Sequence, residues 1–350
     1  MPPITSLLSR LFAKAVESSA SDIHLHTDER PIFRIQGTLK SLANEEPVQD
    51  KVLLGEIKKI LPESKYASFE SRNDIDASVE LPDKNRFRIN VYWAKGKPGL
   101  AGRLIPSIIP TMEVLEAPEA ADDFVTMTQG LVLIAGPTGA GKSTLLASMI
   151  EYINQHRVEH IVTLEDPIEF VYESKKSLVT QRELGMDFQD FADGLKHVFR
   201  QDPDIVLVGE MRDPETMSLA LTLAETGHLV FATLHTNGAA QTVERIIDSF
   251  PGAQQQQIRL QLSMMLRGVI SQLLLPGIKG KLIPVHEVLL NTHAISNLIR
   301  EGRTEQLQNT IFTSKDEKMV DLDQELQWLV KEKLLSPDVA RIHAHNPKQF

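Results

Sequence analysis

The segment GLVLIAGPTGAGKST, residues 130–144, joins an apolar run to a glycine-rich loop and then to a lysine and two hydroxyl residues. Gly136, Gly141, Lys142 and Ser143 satisfy the spacing G-x-x-x-x-G-K-[ST] of a phosphate-binding loop between a strand and a helix. The glycines permit a tight turn with inward-facing N–H groups, and the helix N-terminus adds partial positive charge. We therefore predict that this loop binds ATP, that Lys142 contacts the outer phosphates, and that Ser143 ligates Mg²⁺. The residues predicted to bind the nucleotide are Gly136, Pro137, Thr138, Gly139, Ala140, Gly141, Lys142, Ser143 and Thr144.

After residue 130, short apolar runs alternate with stretches of helical pattern. The runs are LVLIA (131–135), IVTL (161–164), IVLV (205–208) and LVFATL (229–234), and the helical stretches include 142–156 and 214–226. Continuous apolar strands separated by helices indicate a parallel sheet covered on both faces. The sequence therefore predicts an α/β core, which we place at residues 125–275.

The segments on either side of this core have other patterns. Apolar residues at helical spacing predict an amphipathic helix over 4–17 that packs on a sheet, and DIHLHT, PIFRIQG, TLKSL, DIDASVEL and RFRINVYWA read as short strands. We predict a smaller α+β domain over residues 1–104 and a proline-containing linker over 105–124. From about residue 254 the pattern is helical, interrupted near PGIKGKLIP, so residues 276–350 are predicted to be mainly helical.

Each core strand is followed by a residue type that suits phosphate chemistry. IVTL leads into Glu165 and Asp166, IVLVG into Glu210, and LVFATL into His235. In a parallel α/β sheet, ligands bind outside the carboxyl ends of the strands, so these side chains should meet the phosphate loop. No site for a substrate hydroxyl is recognisable, and we predict ATP hydrolysis with Glu210 as base and Glu165 assisting. Gly209 stands where many such proteins carry a magnesium-orienting aspartate.

The chain resembles the secretion ATPases and, within them, the type IV pilus retraction ATPases. GPTGAGKST matches the Walker A box of that family, TLEDPIEF its Asp box, LVGEMRDPET its atypical Walker B box, and AETGHLVFATLHT its His box. The resemblance is dense from about 130 to 275, and SDIHLHTDERPIFRIQG resembles the family's N-terminal domain more loosely. It implies a RecA-like P-loop ATPase domain with a smaller PAS-like N-terminal domain and a helical C-terminal region.

The same resemblance implies roles for particular residues. Glu210 would be the catalytic glutamate, Glu165 the Asp-box acid, and His228 and His235 the His-box pair. The family works as a homohexameric ring in which arginines of the N-terminal domain reach the nucleotide. RFRIN and AGRLIP supply Arg86, Arg88 and Arg103 at matching places, and Arg88 and Arg103 are the favoured candidates.

Two features favour the retraction branch over the extension and secretion ATPases, which typically carry a tetracysteine zinc segment and a longer N-terminal region. The sequence contains no cysteine and begins almost at the PAS-like domain. HAISNLIREGRTEQL (293–307) resembles the retraction signature AIRNLIREGK but has Ser296 in place of an arginine. A divergent or auxiliary retraction paralogue, and an extension or secretion ATPase, stay open as alternatives.

Composition bears on location and partners. No apolar run approaches the roughly 20 residues that cross a bilayer, so we expect a cytoplasmic protein, peripheral at the inner-membrane base of the pilus machine. Coupling to the pilus assembly machinery would go through an integral-membrane platform protein. The formal net charge of −10 argues against a nucleic-acid partner, although a RecA-like translocase on this fold and a nucleotide-gated assembly switch are alternatives.

Overall fold

The computed structural model describes residues 6–35, 37–81, 85–105, 108–314 and 318–350. The chain divides into two compact units. The first comprises the described residues up to Ile108 together with Pro167–Val171, and the second comprises Ile109–Asp166 and Tyr172–Phe350. In the parts of the chain described, no helix has the length and apolarity needed to cross a membrane. The return of the chain to the first unit at 167–171 was not indicated by the sequence pattern, and the predicted domain boundaries stay predictions.

The first unit contains an antiparallel sheet of six strands with the spatial order β3-β2-β1-β6-β5-β4. Its strands and helices are α1 (Leu7–Glu17), β1 (Ala20–His26), β2 (Ile32–Ile35), β3 (Thr38–Ser41), α2 (Asp50–Ile60), α3 (Glu63–Glu70), β4 (Ile75–Glu80), β5 (Arg86–Ala94) and β6 (Lys97–Ile105). The five strands expected from the sequence are present, and β6 was not anticipated. A small α+β unit is therefore confirmed.

Helix α1 shows why the first unit folds around its sheet. Ser6 caps the helix by accepting a hydrogen bond from the N–H of Ser9, and the apolar face of the helix buries Leu8, Leu11 and Phe12. The Phe12 ring stacks on Phe87 of β5 with 4.4 Å between ring centroids. The expected packing of this helix on a sheet is confirmed from Leu7 onward, while residues 4 and 5 of the expected helix lie outside the described residues.

The second unit contains a sheet of seven strands with the spatial order β13-β12-β7-β11-β10-β8-β9. Neighbouring strands from β12 to β9 are parallel, and only β13 is antiparallel to its neighbour. Its first elements are α4 (Ala120–Phe124), β7 (Gly130–Ala135), α5 (Lys142–His156), β8 (His160–Glu165), β9 (Leu178–Glu183), α6 (Phe191–Val198), β10 (Ile205–Val208), α7 (Pro214–Glu225), β11 (Leu229–Leu234) and α8 (Ala239–Asp248). The four apolar runs of the sequence are thus adjacent, wholly buried parallel strands, and the α/β fold is confirmed.

The remainder of the second unit departs from the helical pattern expected from residue 254. Its elements are α9 (Gly252–Met265), β12 (Leu266–Pro276), β13 (Leu282–Leu290), α10 (His293–Glu301), α11 (Leu307–Thr313), α12 (Leu322–Lys331) and α13 (Pro337–His343). The expectation was wrong for β12 and β13, which form a hairpin and extend the sheet beyond β7. A continuous apolar run flanked by turn residues suits a buried strand as well as a buried helix. The segment beyond residue 290 is helical as expected.

Candidate active site

The phosphate loop lies between the buried strand β7 and helix α5. Gly136 follows the strand with φ of +140°, and Gly141 precedes the helix with φ of +81°. A Cβ atom on Gly136 would lie 2.3 Å from the carbonyl oxygen of Gln272, so the close approach of β12 excludes any side chain there. Glycine is required because both the backbone conformation and the available space demand it. The loop therefore has the form of a phosphate cradle at a helix N-terminus.

The ammonium group of Lys142 is held at this loop although the residue is only 7% exposed. Its Nζ donates hydrogen bonds to the carbonyl oxygens of Gly136, at 2.8 Å, and Pro137, at 3.0 Å. A buried charge is tolerated only with such partners. The same Nζ lies 3.5 Å from Nδ1 of His235, at the end of the neighbouring strand β11.

Glu210 lies at the end of β10 with its carboxylate shared between two cationic or ionisable partners. One oxygen pairs with the guanidinium of Arg212, and Oε2 lies 3.4 Å from Nε2 of His235. The ion pair with Glu210 raises the pKa of Arg212. Glu210 is 9% exposed, so its carboxylate is sheltered from bulk water except at this edge of the sheet.

His235 therefore bridges Lys142 and Glu210. An ammonium group can only donate hydrogen bonds, and a carboxylate can only accept them. The two contacts fit one neutral tautomer, in which Nδ1 faces the lysine and Nε2–H faces the glutamate. The imidazole thus links the group that would bind phosphate to the group that would act on water.

Glu165 ends strand β8 and is oriented by two neighbours. Its Oε1 accepts hydrogen bonds from the Thr163 hydroxyl, at 2.7 Å, and from Nε2 of Gln181 on β9, at 3.0 Å. Beside it, Gly209 donates its N–H to the carbonyl of Leu164 at 2.7 Å, and a Cβ atom on Gly209 would lie 3.0 Å from that oxygen. A side chain at position 209 would therefore crowd the backbone of the paired strand β8.

The structure does not bring His228 to these strand ends. His228 precedes β11 whereas His235 follows it, so the strand length of roughly 20 Å separates them. Its Nδ1 lies 3.0 Å from the Leu223 carbonyl and 3.1 Å from the Thr226 hydroxyl, and its ring contacts Phe199 edge-on. Within one chain, His228 closes the turn between α7 and β11.

The candidate arginines lie in the first unit. Arg88 on β5 and Arg103 on β6 are directly opposite each other, so both project from one face of the sheet. Nε of Arg103 donates to Asp22 Oδ1 at 2.8 Å, and Nη1 of Arg88 lies 4.0 Å from Oε1 of Glu169. Burial raises the pKa of Asp22, but the hydrogen bonds from Arg103 and Ser21 outweigh it and lower that pKa overall.

Arg103 keeps 73% of its side chain exposed, and Arg88 keeps 41%. Each guanidinium therefore has donors available beyond its carboxylate partner. Arg86, the third arginine of these two segments, donates to the Ser78 hydroxyl at 2.7 Å.

Sequence reasoning missed two residues of this site. Arg212 was visible as the basic residue two positions after Glu210, but nothing in the sequence indicated that it pairs back onto that carboxylate. Gln272 lies more than 100 residues from the loop it contacts, and only the pairing of β12 with β7 reveals it.

The donor set near the loop suits Mg²⁺ held mainly by water and phosphate. Ser143 is exposed at the N-terminus of α5 and offers a hydroxyl oxygen, and Mg²⁺ characteristically keeps several waters while using one or two protein oxygens. Within the described ranges, no group of three or more His, Asp or Glu side chains is arranged to hold a metal. Ser143 therefore fits as a single protein ligand beside bound phosphates.

The chain is similar to known proteins over almost its whole length. The family model described as "Type II/IV secretion system protein" matches residues 1–332. The type IV pilus retraction ATPase PilT of Pseudomonas aeruginosa is 43% identical over 343 residues, covering 98% of this chain and 99% of that protein. A twitching motility protein of Neisseria gonorrhoeae is 42% identical over 346 residues, covering 99% of this chain and 92% of that protein.

A crystal structure of the pilus retraction motor PilT with bound ADP matches the fold of the chain. The TM-score is 0.91 at 41% sequence identity, and the match covers 98% of both chains. The likeness extends over both units of the chain, beyond the nucleotide-binding core.

Proposed function

Because the chain belongs to the type II/IV secretion system protein family, we propose that it is an ATPase motor that retracts type IV pili and drives twitching motility. The observation that carries the proposal is the continuous set of contacts from Lys142 through His235 to Glu210. It joins a phosphate-binding group to a carboxylate at the carboxyl edge of the parallel sheet. Such an edge is where α/β proteins bind and transform nucleotides.

In this proposal, each residue of the site has a defined task. The loop N–H groups and Lys142 bind the phosphates of ATP, and Ser143 would hold Mg²⁺, which supplies positive charge to the transferred phosphoryl group when bound. Glu210 orients the attacking water and accepts its proton. Glu165, fixed by Thr163 and Gln181, assists at the neighbouring strand end.

His235 and Arg212 hold the carboxylate of Glu210 in position. The imidazole of His235 contacts both Lys142 and Glu210. A movement of the Lys142 ammonium group therefore acts on the Glu210 carboxylate through this ring. Arg212 pairs with the other carboxylate oxygen of Glu210 and so holds the carboxylate from its second side. His228 has no part in this step within one chain because it lies at the other end of β11.

We further propose that the motor is a homohexamer in which Arg88 and Arg103 act on the nucleotide of a neighbouring subunit. Both arginines project from one sheet face and retain exposed donors, as a phosphate clamp requires. The ring would lie in the cytoplasm against an integral-membrane platform protein at the base of the pilus machine. The retraction direction is supported by the names of the relatives and by the segment HAISNLIREG, despite Ser296, whose hydroxyl bonds the Ser263 carbonyl at 2.8 Å.

The catalytic assignment is tested with Glu210→Gln. The amide keeps the size of the side chain but cannot accept a proton, so turnover should fall about 10²-fold or more while ATP binding is retained. Glu215→Gln is the matched control, because Glu215 lies on the same segment in an exposed ion pair with Lys196. Phosphate release and binding of a fluorescent nucleotide are measured on both; near-normal turnover in Glu210→Gln would refute the assignment.

The biological direction is tested by deleting the gene. A retraction motor predicts excess pili that do not retract and loss of twitching, and complementation with the Glu210→Gln variant should not restore it. Bald cells would instead support an extension or secretion ATPase. A salt-titrated assay for single-stranded DNA binding in the presence of ATP addresses the translocase alternative, since micromolar, salt-sensitive binding would favour it.

A further inference from the structure

Gln272 contacts the phosphate loop at both of its ends. Strand β12 runs parallel to β7, and Ser271 pairs with Ala135, so Gln272 comes to lie beside the first residue of the loop. Its carbonyl oxygen occupies the space where a Cβ on Gly136 would lie. Its side-chain Nε2 donates to the carbonyl oxygen of Ala140 at 2.6 Å. One residue of a distant strand thus fixes where the loop begins and where it ends.

The hydrogen bond to Ala140 has a consequence for phosphate binding. In a trans peptide, the carbonyl of one residue and the N–H of the next point in opposite directions. When Gln272 holds the Ala140 carbonyl toward β12, the N–H of Gly141 must point away from β12. Gly141 is the residue before α5, where backbone N–H groups serve as anion donors. The side chain of Gln272 therefore orients one of the donors of the phosphate site.

Gln272 is itself held by a second buried side chain. Because its Nε2 faces a carbonyl, its Oε1 must face a donor, and Nε2 of His286 on β13 lies 3.2 Å from that oxygen. Nδ1 of His286 lies 3.6 Å from Oε1 of Glu325, and the backbone N–H of His286 donates to Oε2 of the same carboxylate at 3.0 Å. Gln272 and His286 are 6% and 4% exposed, so these contacts are sheltered from water.

The series of contacts from Ala140 through Gln272 and His286 ends at helix α12. Glu325 lies on α12, and it lines an open cavity of about 410 Å³ together with His286, Lys318 and Trp328. The remaining charged side chains at the cavity are Glu116, Glu119 and Asp321. The carboxylate that positions His286 thus lines a cavity formed by α12, residues 318–321 and residues 116–119.

We propose that Gln272 is a positioning residue for the nucleotide phosphates, and that His286 and Glu325 hold it so that helix α12 sets the nucleotide affinity of the loop. The proposal rests on the proposed ATPase function. The phosphate loop would bind the nucleotide whether or not hydrolysis follows. The effect is therefore expected in binding and KM more than in kcat, in contrast to Glu210.

The test measures the dissociation constant of a fluorescent ADP analogue and the KM and kcat for ATP on the full chain. Gln272→Ala should raise the dissociation constant and KM about tenfold or more, with a smaller fall in kcat, because one phosphate donor is no longer oriented. His286→Ala and Glu325→Ala should raise the dissociation constant and KM by a smaller factor. Glu325→Gln should be less affected than Glu325→Ala, because the amide carbonyl still accepts the hydrogen bond from the backbone N–H of His286. Gln261→Ala is the control, since its side-chain amide donates a hydrogen bond to Glu225 on α7.

A double-mutant cycle on the nucleotide dissociation constant tests whether Gln272 and His286 act together. If the residues act in series, Gln272→Ala combined with His286→Ala should be little worse than Gln272→Ala alone. Additive effects, or a Gln272→Ala variant with the nucleotide affinity of the wild type, would overturn the proposal. Glu325→Gln changes a partly exposed group and keeps the test available if Gln272→Ala does not fold. A wild-type chain that bound nucleotide without hydrolysing it would contradict the proposed function and leave this inference standing.

Discussion

His345 and Glu287 join the C-terminal segment of the chain to the sheet of the second unit. Nε2 of His345 lies 2.6 Å from Oε2 of Glu287, a carboxylate that is only 1% exposed and also accepts the N–H of Ala239 at 2.6 Å. The hydrogen bond to Glu287 raises the pKa of His345, against the opposing effect of burial and with support from the charges of Asp321 and Asp323. The last residues are therefore attached through an imidazole whose pKa lies above its ordinary value.

We predict that this attachment weakens as the pH rises. Because the pKa of His345 is higher in the folded chain than in the unfolded one, its contribution is fully present below the unfolded value and lost as the pH rises through the folded value. His345→Gln should lower the free energy of unfolding on the order of 1 kcal/mol at pH 6, and the difference from wild type should shrink by pH 9. Denaturant unfolding at several pH values measures it. His343→Gln, an exposed neighbour, serves as control, and a pH-independent difference would contradict the prediction.

The first unit carries a prediction at acidic pH. Glu45 accepts two hydrogen bonds of 2.7 Å from Arg10 and one of 3.0 Å from Lys14, and the pKa of Glu45 is lowered to about 2, chiefly by the Arg10 hydrogen bonds. A lowered pKa contributes stability above the unfolded value near 4.5 that is lost as the pH falls toward 2. Glu45→Gln should cost about 1–2 kcal/mol at pH 7, reduced by the partial exposure of Arg10 and Lys14, and much less at pH 3.

Thermal or urea unfolding at pH 7 and pH 3 tests this expectation. Glu46→Gln is the matched control because Glu46 is the adjacent, exposed residue. Equal destabilisation by Glu45→Gln at both pH values would show that the ion pair is not its cause.

Gly136→Ala should abolish nucleotide binding. The added methyl group would lie 2.3 Å from the Gln272 carbonyl, and the φ of +140° is one that alanine rarely adopts, so the loop must move. Gly252→Ala is the control, because the corresponding Cβ at the start of α9 meets nothing within 4 Å. Titration with a fluorescent nucleotide should give a loss of at least about 100-fold for Gly136→Ala and none for the control, with unchanged circular dichroism. Nucleotide binding by a folded Gly136→Ala variant would contradict the role assigned to this close approach.

Subunit mixing tests the arginines. If Arg103 acts on the nucleotide of a neighbour, Arg103→Ala and Lys142→Ala rings should each be inactive, whereas mixed rings contain some sites with both groups intact. ATP hydrolysis should therefore reappear on mixing after subunit exchange. A mixture with Lys142→Ala,Arg103→Ala subunits in place of Lys142→Ala subunits should recover nothing, since no subunit in it supplies the arginine. If mixing restores nothing although exchange is shown by a label, the arginine does not act between subunits.

The features visible in the sequence were those set by local pattern. The phosphate loop was predictable because strand, glycine turn and helix are contiguous, and the strand ends at Glu165, Glu210 and His235 followed from the parallel sheet. The hairpin of β12 and β13 was not predictable, because its apolar residues fit a buried helix equally well. Only the pairing of β12 with β7 distinguishes the strand from a helix.

Contacts between distant segments explain the other differences. Gln272 reaches the phosphate loop through the pairing of β12 with β7, and Glu325 reaches Gln272 only through His286 of β13, the strand paired with β12. His228 and His235 lie in one sequence box, yet the strand between them places them at opposite edges of the sheet. Closeness in sequence therefore did not predict closeness in space, because an extended strand holds its two ends far apart.

The first unit has a discontinuous chain: after Asp166 five residues, Pro167–Val171, belong to it before the chain returns at Tyr172. Three covalent crossings therefore connect the two units, and one of them follows Glu165 and Asp166 directly. A domain attached by a single linker can be lost, exchanged or duplicated by one recombination event at its boundary. Here an exchanged N-terminal unit would arrive without its internal segment, and a chimera would have to match the recipient at that segment as well. The two units are therefore expected to be inherited and to diverge as a pair.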